Sequence, residues 1–136
     1  MVDIPYPGED YLAIDIDTRD DFFLLKSFFN ASNLFPSAKI ECYATRHGYH
    51  VIIYGVRSDL GLRATLGDDP DRIEWAEKIM KLTKVPCWDM IFHVKTFGGS
   101  TFRSYKFNPL SLQWFTKLPR GYWKEKLLKL HRKFYK

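Results

Sequence analysis

Residues 11–17 read Tyr-Leu-Ala-Ile-Asp-Ile-Asp, and their strict alternation constrains this chain more than any other feature. Leu12, Ile14 and Ile16 share one face; Tyr11, Ala13, Asp15 and Asp17 share the other. That period of two belongs to a strand with one buried face. Immediately afterwards the pattern changes. Thr18 followed by Asp21 resembles a capping pair ahead of Phe22-Phe23-Leu24-Leu25, and the apolar run continues through Phe28 and Phe29 until Pro36 forbids more helix. A lone half-apolar strand cannot bury itself, so further strands must follow and the helix must cover them.

The rest of the chain supplies them. Ala38–Thr45 and Tyr49–Val56 read as strands joined by the tight link Arg46-His47-Gly48, an antiparallel hairpin. Ser58 is placed to cap a short helix ending at Gly67. Asp69-Pro70 opens a longer helix to about Lys84, with acidic residues early and lysines late, and Pro86 stops it. Trp88–Lys95 alternates again, setting Met90, Phe92 and Val94 against Asp89, Ile91, His93 and Lys95. Gly98-Gly99-Ser100 is a turn that can open a β extension over 101–107. From Gly121, Trp123, Leu127, Leu130 and Phe134 have helical spacing. The order β-α-β-β-α-β predicts an α+β chain with a ferredoxin-like, RRM-like sheet in the order 4-1-3-2, helices on one face and the other face open.

Length and composition set the outer bounds. At 136 residues, 46% hydrophobic and 27% charged, the chain suits one globular domain. No apolar run approaches the roughly 18–20 residues that span a bilayer, so no membrane span is expected. Met1–Pro5 lacks the basic and apolar regions of a signal peptide. Cys42 and Cys87 make neither a disulfide framework nor a zinc site, which points to a reducing cytoplasm; they lie too far apart in the expected sheet to bond. The net charge of +5 is unevenly divided. Residues 1–102, the expected ferredoxin-like sheet, carry 11 Lys+Arg and 15 Asp+Glu; residues 103–136, a basic extension of the same domain, carry 10 Lys+Arg, one Glu and eight aromatics. Arg103, Lys106, Lys117, Arg120, Lys124, Arg132 and Lys133 are the candidate nucleic-acid contacts there, because basic and aromatic residues together suit a polyanion carrying stackable bases.

In the expected sheet the C-terminal end of strand 1 lies beside the starts of strands 3 and 4. Asp15, Asp17, Asp89 and His50 then converge on one end of the open face. Clustered carboxylates repel unless a cation offsets them, and oxygen ligands of this kind suit Mg or Mn with substrate phosphates completing the sphere. His50 would contact a nucleoside triphosphate, with Arg46, His47 or Lys95 adding positive charge. Plainer readings exist for each: solvent-facing or helix-capping acids for Asp15 and Asp17, turn chemistry for Asp89, and a structural histidine for His50.

Ala13-Ile14-Asp15-Ile16-Asp17, then Thr45-Arg46-His47-Gly48-Tyr49-His50, then Trp88-Asp89 resemble the three motifs of the archaeo-eukaryotic primase superfamily. The resemblance covers about residues 11–95. It implies an RRM-like palm and metal-dependent nucleotidyl transfer in replication, with Asp15, Asp17 and Asp89 as catalytic metal ligands and His50 on the incoming nucleotide. Thr45-Arg46 stands where the family has a Ser-Gly start. Catalytic members also carry an additional α/β unit, for which the ten residues before the first strand leave no room. The resemblance therefore implies a minimal palm of viral or plasmid type, a subunit needing a replication partner, or a derivative without catalysis.

Three other classes compete. A non-catalytic module could bind single-stranded nucleic acid on the open sheet, with Tyr11, Tyr43 and Tyr54 as stacking platforms. A rolling-circle initiator shares the sheet but needs two metal-binding histidines separated by one apolar residue, plus a nucleophilic Tyr, whereas His47 and His50 have two residues between them. A structural or interaction protein, dimeric through the open face, is the third.

Overall fold

The alternation at the start of the chain is realised as β1 (Tyr11–Ile16), followed by α1 (Asp21–Leu34), β2 (Ile40–Ala44) and β3 (Tyr49–Tyr54). Then come α2 (Leu60–Thr65), α3 (Pro70–Thr83), β4 (Val94–Phe97), β5 (Ser100–Arg103) and β6 (Tyr105–Phe107). This computed structural model describes residues 6–92, 94–97, 100–109 and 129. The expected helix from Gly121 lies outside the described residues, apart from Lys129.

The architecture is α+β: a four-stranded antiparallel sheet in the order β1-β3-β2-β6, with three helices and a separate β4-β5 hairpin. Leu12, Ile14 and Ile16 of β1, Val51 and Ile53 of β3 and Cys42 of β2 join Leu24, Leu25, Phe28 and Ala31 of α1 and Leu66 in one buried core. Burying each large side chain there contributes roughly 1.5–3 kcal/mol. Cys42 and Cys87 are both buried free thiols.

Two caps differ from expectation. Asp20, not Thr18, accepts the Phe22 N–H at the start of α1, and Thr18 Oγ1 accepts from Asp20 N instead. Asp59, not Ser58, accepts from Leu62 N at the start of α2. Asp69 and Pro70 open α3 as their residue types require, and Lys84 ends it in the left-handed conformation.

The larger difference is the fourth strand. The 1-3-2 order holds, but residues 88–92 form no strand against β1, and the fourth place in the sheet is taken by β6 on the far side of β2. The physical reason is that both surfaces are already committed. On the free edge of β1, Ala13 N donates to Asp89 Oδ2 at 2.7 Å and Asp15 N to Asp68 Oδ1 at 2.8 Å. Ala13 O accepts from Arg72, and Asp15 O accepts from Asp69 N at 3.0 Å. In the 88–90 segment, Trp88 O accepts from Arg63, Asp89 O from the Tyr11 hydroxyl and Met90 O from Arg72, while Asp89 N donates to Pro7 O. Side chains and the Asp69 N–H have replaced a ladder at Ala13 and Asp15, which leaves that stretch of β1 without a bare edge. Among the described residues no helix is long and apolar enough to cross a membrane.

Candidate functional site

Strand pairing sets the sheet face opposite α1. Asp15 faces His50, His50 faces Tyr43 and Tyr43 faces Lys106, so one polar row crosses all four strands. Beside it run Ala13, Ile52 and Glu41, and beyond those the pair Tyr11 and Tyr54. The centre of this face is not bare: Ala13, His50 and Ile52 are buried. Tyr54 and Lys106 are exposed.

His50 Nε2 lies 3.5 Å from Asp15 Oδ1. The Tyr43 hydroxyl donates to Glu41, whose carboxylate also meets Lys39 at 3.2 Å and Lys106 at 3.5 Å. The Tyr43 hydrogen bond, together with these lysines, holds Glu41 below the usual carboxylate range. The same bond, reinforced by burial, pushes the Tyr43 phenol up. Lys39 Nζ sits 5.6 Å from the Tyr54 ring centroid, a cation–π contact at the rim.

The β2–β3 turn abuts the C-terminal end of β1. Thr45 closes it by accepting from Gly48 N, and a Cβ on Gly48 would lie 1.8 Å from Ile16 O. Arg19 then reaches over from the β1–α1 loop, its Nε and Nη2 both donating to Arg46 O. Asp17, Arg46 and His47 are exposed around this junction. The structure thus brings Asp15 and His50 together and sets Asp17 and Arg46 near the same end.

Asp89 stands elsewhere. Its side chain is fully buried: Oδ1 pairs with Arg72, and Oδ2 accepts from Ser58 and from Ala13 N. Asp68 completes the cluster, meeting Arg63 at 2.7 Å and Arg72 at 2.8 Å. Burial pushes the Asp68 carboxyl up, against the pull of Arg72, the Asp15 N–H and Arg63. Burial also opposes the charge on Arg72, but Asp68 and Asp89 outweigh it and hold the guanidinium above its ordinary range. As arranged, Asp89 is spent on this network and does not join Asp15 and Asp17. Among the described residues no group of three or more His, Cys, Asp or Glu side chains could hold a metal ion.

Lys95 also departs from its expected place, because it pairs with Phe102 in the β4-β5 hairpin and not with β1. Arg103 ends β5 and is exposed; Lys106 lies on β6. Lys117, Arg120, Lys124, Arg132 and Lys133 lie outside the described residues. Sequence reasoning missed Arg63, Asp68, Arg72 and Arg19, and read Ser58 as a cap and not as a partner of Asp89. Only Asp68 and Arg72 carried a local signal, their i,i+4 spacing. Compared with protein-family models, curated proteins and solved structures, the chain matches none of them.

Proposed function

We propose that the chain binds single-stranded nucleic acid across the sheet face opposite α1, as a non-catalytic module. The observation that carries this reading is the placement of Tyr11, Tyr43 and Tyr54 on one face with Lys106 at its edge. Aromatic rings stack on unpaired bases whatever their sequence, and lysines track the phosphates. Of the two acids on this face, Glu41 is already matched by Lys39 and Lys106, and Asp15 stands against His50. The basic 103–136 segment adds phosphate contacts in the same sense. The test is fluorescence anisotropy of a labelled oligothymidylate. Tyr54→Ala should weaken binding by about 5- to 150-fold, the equivalent of one lost base stack at roughly 1–3 kcal/mol. Unchanged affinity in that variant would sink the reading.

A second reading keeps the primase-like chemistry in reduced form, favoured by Asp15 standing opposite His50 with Asp17 two residues on. Mg or Mn would be held by Asp15 and Asp17 plus nucleoside triphosphate oxygens, with Asp89 serving the fold. Manganese-dependent triphosphate binding that disappears in Asp17→Ala supports it. Binding that persists in Asp17→Ala and Asp15→Ala removes it.

A further inference from the structure

A groove opens where β1 begins. The lead-in contributes Tyr6, Pro7, Asp10 and Tyr11, and the irregular segment contributes Met90 and Phe92, enclosing about 370 Å³. Its two sides are bound together before any ligand arrives. Asp89 N donates to Pro7 O, the Tyr11 hydroxyl donates to Asp89 O, and Ser58 N donates to Gly8 O. Gly8, at φ +96°, lets the lead-in pass so close that a Cβ there would lie 2.5 Å from Asp89 Cβ. Tyr6 and Phe92 nevertheless stay 40% and 54% exposed, large rings left open to solvent.

We infer that this groove is a base-binding subsite selective for an unpaired guanine at one end of the bound strand. The inference rests on the proposed single-strand binding. Its occupant follows from three features. The walls are aromatic and apolar, which suits a flat ring. Among the described residues, the one charged residue lining the groove is Asp10, which repels phosphate and turns the backbone outward. Tyr11 also belongs to the Tyr11–Tyr54 pair, so a strand stacked on Tyr54 continues directly into the groove.

The choice of base follows from hydrogen-bond arithmetic. An ionised carboxylate only accepts, through two oxygens. Guanine alone presents two adjacent donors, N1–H and the N2 amino group, on its Watson–Crick edge. Adenine and cytosine set one amino group beside an acceptor, and thymine and uracil set one N–H between two carbonyls. A good bidentate contact discriminates by about 1–3 kcal/mol, or roughly 5- to 150-fold.

The experiment compares labelled oligothymidylates carrying a single terminal guanine, a single terminal hypoxanthine (which lacks the 2-amino group) or neither, by anisotropy. The guanine oligonucleotide should bind at least about fivefold tighter than all-thymine, with hypoxanthine between them. Asp10→Asn should abolish the preference, since Asp10 is exposed and its fold contact is the backbone carbonyl accepting from Gly55 N. Phe92→Ala should weaken the guanine oligonucleotide while leaving oligothymidylate binding intact. No guanine preference, or a preference that survives Asp10→Asn, overturns the subsite. If oligothymidylate still binds through Tyr54, the proposed function stands without it. If neither oligonucleotide binds, both fall.

Discussion

Asp89→Ala separates two views of one carboxylate. A metal ligand at a sheet end can be removed with loss of activity and little loss of stability. In the arrangement described, the same truncation leaves Ala13 N–H and one arm of Arg72 buried without a partner, and takes away the acceptor of the Ser58 hydroxyl. Breaking a buried ion pair by deleting one member costs about 3–5 kcal/mol. An orphaned buried N–H alone costs about 1–3 kcal/mol. These overlap, so the expected loss is about 3–5 kcal/mol, a fifth or more of the total stability of a domain worth roughly 5–15 kcal/mol. Urea denaturation followed by tryptophan fluorescence reads it directly, because the Trp75 and Trp88 rings lie 6.2 Å apart beside this network. Asp89→Asn should fall between wild type and Ala, since it keeps an acceptor for Ala13 N–H. The Asp89→Ala, Arg72→Met double variant should lose less than the two single losses combined. An Asp89→Ala protein within about 0.5 kcal/mol of wild type would refute the assignment.

Gly48→Ala should cost at least about 2 kcal/mol in the same assay, because its Cβ would meet the Ile16 carbonyl at 1.8 Å and backbone cannot swing aside as a side chain can; a neutral effect would mean the β2–β3 turn is not seated on β1. Alkaline stability should decline above pH 10. Burial and then Asp21 raise Tyr49, Glu41 and then burial raise Tyr43, and burial and then Asp89 raise Tyr11, all above the ordinary 10.0. A phenol whose folded value is raised contributes stability that is complete below pH 10 and is lost as pH climbs through the folded value. Circular-dichroism melts should therefore show Tm falling on that side, less steeply in Tyr49→Phe; a flat profile would contradict it. Lys106→Ala should weaken oligonucleotide binding at low salt and lose most of that effect at high salt, read by anisotropy.

What could be read from residues alone was whatever local pattern decides. Alternation placed β1 and the side on which Asp15 and His50 meet, and Asp69-Pro70 marked the start of α3. The fourth strand failed because alternation over 88–95 says nothing about backbone partners. There, arginines from α2 and α3 occupy the carbonyls of Trp88 and Met90. Arg72 also reaches Ala13, 59 positions away, a separation no spacing rule spans. Asp89 looked like a site residue because it is an acid next to a strand start. It is an acid there because β1 needs an acceptor for Ala13 N–H and Arg72 needs a counter-charge. Ser58 was read as a cap for the same reason Asp59 is one, a small polar residue ahead of an apolar turn, and the two differ only in that Ser58 faces Asp89.

The central claim is that the face carrying Tyr54, Tyr43 and Lys106 holds a single nucleic-acid strand. The most direct measurement is oligothymidylate affinity across a salt series, with and without EDTA, for wild type, Tyr54→Ala and Lys106→Ala. Log affinity should fall linearly with log salt and be unmoved by EDTA. Lys106→Ala should flatten the slope by about 0.7, one phosphate's worth on a single strand, and Tyr54→Ala should lower affinity at every salt without changing the slope. A chain that does not bind the strand, or binds it with the same affinity and slope in all three proteins, would contradict the claim.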